Sequence, residues 1–303
     1  MPPRRLFVAV IALACAFAAR SIAVVAQANL RSMYVSIVDE AGAPVPGLGP
    51  SDFVVREDNV AREVLRVAPA DEPMQVAVLV DTSQNARNDI AHIRTALPPF
   101  VAALTSAGEG ERKNQVAIIG FGERPTILAE YSTSAAALKK GIDRIWPTPN
   151  SGPYFLDAIV ETCQGFKKRE AQRPVIVAIV AEGEELSYVP YEQAIDRLTS
   201  AGAPLYALML GTPNTSTRDE SRNRQIVLDR GTSVSGGDRE QLLTSMALEG
   251  KLKQLANQLT HQYLVTYSRP ESLIPPEKIT VSAAKPGLTA RGTPVKEPAK
   301  ATR

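Results

Sequence analysis

The sequence contains very few cysteine and histidine residues. Its 303 residues include two cysteines, Cys15 and Cys163, and two histidines, His92 and His261. Because Cys15 lies in an N-terminal segment that we expect to be removed, Cys163 would be the sole cysteine of the mature chain, which excludes an internal disulfide. Neither histidine belongs to a metal-binding or triad motif, and the chain has no Walker loop and no G-x-S-x-G elbow.

The sequence also has little net charge and few aromatic residues. It contains 34 Lys and Arg and 32 Asp and Glu, a formal net charge of +2, and 5% aromatic residues. Three arginines and no acidic residue lie in residues 1–28, so removal of this segment would lower the net charge to −1. A mature chain without a basic excess lacks the electrostatic signature of nucleic-acid binding.

The first 28 residues differ in composition from the rest of the chain. Arg4 and Arg5 precede the apolar run LFVAVIALACAFAA, and the small residues Ala26-Gln27-Ala28 come later. A basic start, a short apolar core and an A-x-A site are typical of a secretory signal peptide. We therefore expect cleavage after Ala28 and a secreted or extracytoplasmic protein, in the periplasm or at the cell surface, with no transmembrane segment in the mature chain. An uncleaved anchor and a lipoprotein modified at Cys15 are the alternatives.

Strand and helix patterns alternate between residue 74 and about residue 260. Four short apolar runs without polar alternation are typical of strands buried on both faces: QVAVLV, QVAIIGF, PVIVAIV and PLYALML. Amphipathic helices are predicted around residues 88–105, 134–145, 155–167, 190–201 and 247–261. The predicted fold class is therefore α/β, a doubly wound, mainly parallel sheet with helices on both faces, and ligands should bind at the carboxyl ends of its strands.

Shorter strand patterns lie on either side of this region, in residues 32–68 and in the stretches QYLVTYS and EKITVSAA. We predict that they pair into a small β unit. The predicted organisation is a signal peptide (1–28), an N-terminal β segment (29–70), the α/β domain (71–261), a C-terminal β segment pairing with the N-terminal one (262–290) and a disordered tail (291–303). Residues 212–225 are polar without a hydrophobic period, which predicts a mobile loop.

A cluster of oxygen-bearing side chains follows the first buried strand. In VAVLVDTSQNARNDI, residues 76–90, Asp81, Ser83 and Asn85 occupy alternate positions, and Glu182 follows PVIVAIVA at the end of another strand. Because the carboxyl ends of parallel strands meet at one edge of a sheet, these groups should lie close together. An all-oxygen set suits Mg²⁺, Mn²⁺ or Ca²⁺. Alternatively, Asp81 and Ser83 cap the helix that follows by accepting hydrogen bonds from its free amides.

The sequence resembles the von Willebrand factor type A family, and more narrowly the secreted bacterial proteins that carry this domain between short β segments. The resemblance rests on GAPVPGLGPSDFVVRED as the leader, VAVLVDTSQN as the first metal-site loop, SGPYFLDAIV as the second and IVAIVAEGEE as the third. The stretches GTSVSGGDRE and HQYLVTYS resemble the segments before and after the last helix. The resemblance to this family therefore extends over nearly the whole mature chain.

The resemblance implies a metal-ion-dependent adhesion site whose ion is held by Asp-x-Ser-x-Ser, a Thr and an Asp, and completed by a carboxylate of the partner. Asp81 and Ser83 match this pattern, whereas Asn85 replaces the second Ser, Pro153 replaces the Thr and Glu182 replaces the Asp. Asn85 and Glu182 still offer oxygens, but Pro153 offers none. Two outcomes are open: Asp81, Ser83, Asn85 and Glu182 hold an ion, or the site is degenerate and binds none.

The expected function is an extracytoplasmic interaction or adhesion module that binds another protein or a surface polymer through loops 82–88, 149–155 and 182–189. The alternative is a metal-independent scaffold or envelope assembly protein that binds through the β unit or loop 212–225. A hydrolase built on Ser83 would need a base that no motif supplies, so we expect no enzymatic activity.

Two side-chain environments are also predicted. Cys163 shares the apolar stripe of its helix, which predicts a buried, inert thiol. Glu184 and Glu185 continue an acidic run that is typical of a solvated loop.

Overall fold

A computed structural model of the chain describes residues 29–106, 113–213, 218–270 and 274–296. Its centre is a six-stranded sheet built from β5 (Gln75–Val80), β6 (Gln115–Gly120), β7 (Thr126–Ser132), β8 (Pro174–Ala181), β9 (Leu205–Leu210) and β10 (Asp238–Leu242). The strand order is β10-β9-β8-β5-β6-β7, and all neighbours are parallel except β6 and β7. The four apolar runs therefore form four adjacent parallel strands, as the sequence predicts.

Helices cover both faces of this sheet. They are α1 (Ile90–Thr105), α2 (Ala135–Ile142), α3 (Phe155–Lys168), α4 (Tyr191–Ala201), α5 (Asp219–Ile226), α6 (Thr232–Ser235) and α7 (Leu248–Thr260). Side chains alternate along a strand, so β5 sends Val76, Val78 and Val80 into the core beneath α1, α2 and α7, and Ala77 and Leu79 into the core beneath α3 and α4. Because both faces are covered, the strands read as continuous apolar runs, and the predicted fold class is confirmed.

The segments that flank the α/β region form two small antiparallel sheets. Their strands are β1 (Asn29–Val38), β2 (Phe53–Glu57), β3 (Val60–Arg62), β4 (Val64–Pro69), β11 (Tyr263–Arg269), β12 (Ile279–Ala283) and β13 (Thr289–Pro294). The orders are β13-β1-β11-β4 and β12-β2-β3, so strands from both ends of the sequence pair as predicted. A separate core that includes Met33, Val35, Ile37, Phe53 and Tyr267 joins the two sheets. We call this part the β unit.

Two predictions about irregular segments are wrong. The disordered tail was expected from residue 291, but β13 extends to Pro294 because it pairs with β1; residues 297–303 lie outside the described part of the chain. Residues 219–225 of the predicted mobile loop belong to α5, whose buried side chains are polar, Ser221 and Arg224. A helix that buries polar side chains has no hydrophobic period, which is why the sequence pattern did not reveal it.

Two further predictions concern the membrane and the thiol. Within the described residues, no helix is both long enough and apolar enough to cross a bilayer, and the predicted signal peptide, residues 1–28, lies outside them. Cys163 is buried on α3 without a disulfide partner, which confirms the predicted environment. Burial raises the pKa of its thiol to about 12, so the side chain stays protonated and unreactive at neutral pH.

Candidate functional site

Asp81 connects the ends of two neighbouring strands at the carboxyl edge of the sheet. It is fully buried, directly after β5. Its Oδ1 accepts a hydrogen bond from the Ser83 N–H at 2.8 Å, and its Oδ2 accepts one from the Ala181 N–H at 3.2 Å. Burial raises the pKa of this carboxyl to about 6, against the opposing effects of the hydrogen bonds and of the positive charge on Arg224.

Ser83 turns the chain immediately after the strand. Its hydroxyl oxygen accepts a hydrogen bond from the Asn85 N–H at 3.3 Å and caps a single 3₁₀ turn, Gln84–Ala86. The long helix α1 begins later, at Ile90, and its N-cap residue Asp89 makes no side-chain capping bond. Helix capping, the predicted alternative role, therefore holds for Ser83 and this short turn and not for α1.

Asn85 joins the first loop to the third. Its Nδ2 donates to the Glu184 carbonyl oxygen at 3.3 Å. Gly183 permits this approach, since a Cβ at that position would lie 2.2 Å from Asn85 Nδ2, and its φ of +153° is a conformation that side chains disfavour. The amide is thus engaged with backbone of the third loop.

Glu182 follows β8 and meets a guanidinium that the sequence analysis did not single out. Its Oε2 accepts from Arg224 Nη2 at 3.2 Å, and the Arg224 side chain is completely buried. Arg224 comes from α5, 42 residues further along the chain. A buried ion pair between these two side chains therefore lies beside the predicted site.

The second and third loops are locked together by buried side chains. Glu185 Oε1 accepts from the Phe155 N–H at 2.8 Å, and Ser187 Oγ accepts from the N–H groups of Leu156 at 3.1 Å and Asp157 at 3.3 Å. These three amides belong to the first turn of α3, which has no cap of its own. The prediction that Glu185 is solvated is therefore wrong, because the start of α3 requires an acceptor in this interior position.

The ionisation of the acidic residues in the third loop depends on how deeply each one is buried. Burial raises the pKa of Glu185 to about 7, whereas hydrogen bonding to Ser187 and the charge of Arg224 act in the opposite direction. Glu184, by contrast, is exposed as predicted and forms an ion pair with Arg218 at 2.7 Å. Neighbouring residues of one acidic run thus have different roles.

In the arrangement that the structure describes, the predicted ligands contact other protein groups. Both Asp81 oxygens accept backbone hydrogen bonds, the Asn85 side chain is held to the third loop through its Nδ2, and Glu182 is paired with Arg224. Pro153 is buried and contributes only its backbone carbonyl, which accepts from Leu186 N–H at 2.9 Å. Among the described residues, no group of three or more His, Cys, Asp or Glu side chains is placed to hold a metal.

Among the described residues, neither histidine makes a hydrogen bond to Ser83. His92 is exposed on α1, and His261 contacts Asn257 and Thr260 at the end of α7. The hydrogen bonds of Ser83 go to backbone and to Asp81. The arrangement that a serine hydrolase needs, with a base beside the nucleophile, is therefore not formed by these residues.

The family of the chain follows from its sequence as well as its fold. Residues 75–258 match the model of the von Willebrand factor type A domain, which covers more than half of the chain. The protein belongs to this family, as the resemblance of its loops predicts. Domains of this family generally mediate protein interactions. None of the curated proteins matches the sequence.

Solved structures share the fold at low sequence identity. A von Willebrand factor type A protein from Catenulispora acidiphila is 11% identical, with a TM-score of 0.51; the match covers 90% of this chain and 73% of that one. Proximal thread matrix protein 1 from the mussel byssus is 13% identical, with a TM-score of 0.50; the match covers 64% of this chain and 50% of that one. This chain thus spans only half of the second relative, and both matches support the fold alone.

Arg224, Glu185 and Ser187 are the site residues that sequence reasoning missed. The signal for Arg224 was weak, because a polar segment with an arginine resembles any exposed loop. Glu185 and Ser187 form an alternating pair in the loop after β8, a spacing similar to that of Asp81 and Ser83. That repetition could have suggested a capping role.

Proposed function

We propose that the protein is an extracytoplasmic interaction module that binds another protein through the carboxyl edge of its central sheet. Membership of a family whose domains mediate protein interactions supports the function in general terms. The signal-peptide pattern of residues 1–28 supports the location. Hydrogen bonds hold the three loops at the edge, and those of Asp81 and Glu185 are buried, which provides the rigid base that a binding surface needs.

The observation that carries the proposal is the exposure of large apolar side chains around this edge. Tyr188 in the third loop is 87% exposed, and Leu243 and Met246, which follow β10, are 75% and 76% exposed. Trp146 is 63% exposed and lies two residues before Thr148, whose N–H donates to the Thr82 carbonyl oxygen of the first loop. Exposed aromatic and Met side chains are enriched where proteins bind one another.

A second candidate surface is the β unit. Leu30, Val60 and Ile274 are exposed there. This is the surface that a scaffold or envelope assembly protein would use if it bound through its flanking strands. The two candidates differ in which exposed apolar side chains a partner covers, so they can be distinguished directly.

Site-specific photo-crosslinking in the cells that produce the protein tests the proposal. A crosslinking amino acid replaces Tyr188 or Leu243 at the edge, Ile274 in the β unit, or Gln164 on the exposed side of α3 as a control. We expect one shared protein adduct from positions 188 and 243 and none from 164. An adduct from position 274 alone would favour the scaffold function. No adduct at any position would contradict both.

The proposed extracytoplasmic location is tested by a separate measurement. Mass determination of the N-terminal peptide of the protein recovered from the cell envelope or medium should place the mature N-terminus at Asn29. An intact Met1 on protein found only in the cytoplasm would contradict the extracytoplasmic assignment while leaving the binding surface untouched.

A further inference from the structure

Arg224 is a charged side chain buried without exposure to solvent. It is one of two buried residues of α5, and the guanidinium reaches the end of β8. Its Nε and Nη1 have no hydrogen-bond partner among the described residues. Removing a guanidinium from water costs much free energy unless nearby negative charge compensates. Nearby carboxylates must therefore compensate the buried charge of Arg224.

Three carboxylates of the candidate site interact electrostatically with this charge, and one of them contacts it directly. Glu182 is in direct contact, with 3.2 Å between its Oε2 and Arg224 Nη2. The charge of Arg224 also acts on Asp81 and on Glu185, since it opposes the rise in their pKa values that burial causes. Asp81 comes from the first loop and the other two acids from the third, so one cation serves side chains of both loops.

We propose that the Arg224 guanidinium, in contact with Glu182, is the permanent internal cation of this site and takes the place of a divalent ion there. An arginine suits this role because it stays protonated at every physiological pH. An added ion would have to share carboxylates with a fixed positive charge, which opposes its binding. The proposal concerns the folded domain itself and holds whichever partner binds.

The residues that depart from the family pattern agree with this replacement. Glu182 is one methylene longer than Asp, and it contacts an arginine from a different helix. Pro153 has no ligand oxygen where the family pattern has Thr. An exposed ion pair between Arg218 and Glu184, 2.7 Å apart, connects the chain just before α5 to the third loop. Each feature is consistent with a site completed by α5.

Thermal melting with and without divalent ions tests the proposal. The samples are the full exported chain, Arg224→Ala, and Arg222→Ala as a control on the exposed side of the same helix. Each is treated with chelator and then melted with chelator or with millimolar Mg²⁺, Mn²⁺ or Ca²⁺. A ligand that binds only the folded state raises the melting temperature. We expect no ion-dependent shift for the unmodified chain or for Arg222→Ala.

Arg224→Ala should behave differently in two ways. Its melting temperature in chelator should fall by about 10 °C, because a buried ion pair loses one partner. Millimolar ion should then recover part of this loss, since Glu182 would lack its cationic partner and Asp81 would lose a compensating positive charge. Adding Asp81→Asn to Arg224→Ala should abolish the recovery. Arg224→Lys, which keeps a positive charge, should melt higher than Arg224→Ala and should not respond to ions.

Specific results would overturn the proposal. An ion-dependent shift of the unmodified chain that Asp81→Asn removes would show that the site holds a metal despite Arg224. Wild-type melting of Arg224→Ala, or a destabilised Arg224→Ala without any recovery in ion, would show that the guanidinium does not replace one. If Arg224→Ala does not fold, the unmodified chain and Arg224→Lys decide: an ion response in either would overturn the proposal, and folded, ion-independent behaviour of both would support it.

Discussion

The carboxyl edge of the sheet and the β unit both bury a glutamate, but they compensate its charge differently. In the β unit, Glu57 is paired with Arg62 at 3.0 Å and Arg269 at 3.5 Å and accepts a hydrogen bond from Tyr267 at 3.1 Å. Both of these arginines keep part of their surface in water. At the carboxyl edge, Glu182 is paired with Arg224, which is wholly buried.

This difference identifies the region in which the stability of the protein depends on a single charged side chain. Glu57 has two cationic partners, so the loss of one leaves the other, and both partners can regain water locally. Arg224 is wholly buried, so its site cannot be rehydrated locally, and its charge acts on Asp81 and Glu185 in addition to Glu182. We therefore expect the carboxyl edge to be sensitive to single charge changes that the β unit tolerates.

The largest expected effect is that of Arg224→Met compared with Arg62→Met. Removing one partner of a wholly buried pair typically costs about 3–5 kcal/mol of unfolding free energy. Arg62→Met should cost about 1 kcal/mol, because Arg269 remains beside Glu57 and Arg62 is partly solvated. Chemical denaturation at neutral pH measures both. Equal losses for the two variants would remove the contrast between the regions.

A second prediction concerns pH and Glu185. Burial raises its pKa in the folded state from the ordinary value of 4.5 to about 7, so the folded state favours the protonated form. The resulting stability is present below pH 4.5 and is lost as pH rises through about 7, a change of about 3 kcal/mol. Glu185→Gln cannot ionise, so its unfolding free energy relative to the unmodified chain should increase by that amount over this range.

Denaturation at a series of pH values measures this difference. Glu184→Gln is the matched control, because Glu184 is an exposed neighbour in the same run, and its difference from the unmodified chain should stay nearly constant. A relative stability of Glu185→Gln that does not change with pH would mean that Glu185 is not buried as the structure shows.

A third, smaller effect is expected from Ser187→Ala. Its hydroxyl accepts from two amides in the first turn of α3, and loss of such a cap typically costs about 1 kcal/mol. Ser134→Ala, which removes the exposed cap of α2, should cost less because water can satisfy the Ala137 amide there. Chemical denaturation compares the two variants; an equal or smaller loss for Ser187→Ala would contradict the buried role of the third loop.

The smallest effect is expected from Glu184→Ala. Its ion pair with Arg218 is exposed, and exposed pairs typically contribute only about 0.2–1 kcal/mol, which salt reduces further. Chemical denaturation of Glu184→Ala at low and high salt measures its contribution. A loss of several kcal/mol would show that this surface pair, and not the buried Arg224 pair, holds α5 against the third loop.

Sequence patterns predicted the α/β core more completely than the site. The runs around Val78 and Val177 identified the central strands because they are apolar at every position, and the helix at 155–167 followed from its apolar stripe. The strands Thr126–Ser132 and Asp238–Leu242 were not predicted, since both lie at sheet edges and carry many partly exposed or polar side chains.

The sequence predicted where the site residues lie, at the ends of strands, but it did not predict the contacts that they make. Asp81 and Glu182 lie at the carboxyl edge as predicted, because parallel strands end at the same edge. Glu185 was expected in solvent, yet it accepts a hydrogen bond from the Phe155 amide, 30 residues away. The sequence around Glu185 resembles an exposed acidic loop, and the amide that buries it belongs to another element.

By itself, the sequence determined the features that depend on local pattern: the α/β class, the family and the position of Asp81 and Ser83 after a buried strand. The tertiary structure decided which charges meet. Glu182 contacts Arg224 across 42 residues, and Tyr267 contacts Glu57 across 210 residues. Local periodicity reports which face of an element is buried, whereas the partner of a buried charge depends on how distant elements pack, and that packing alone decides whether a carboxylate meets an arginine, an amide or an ion.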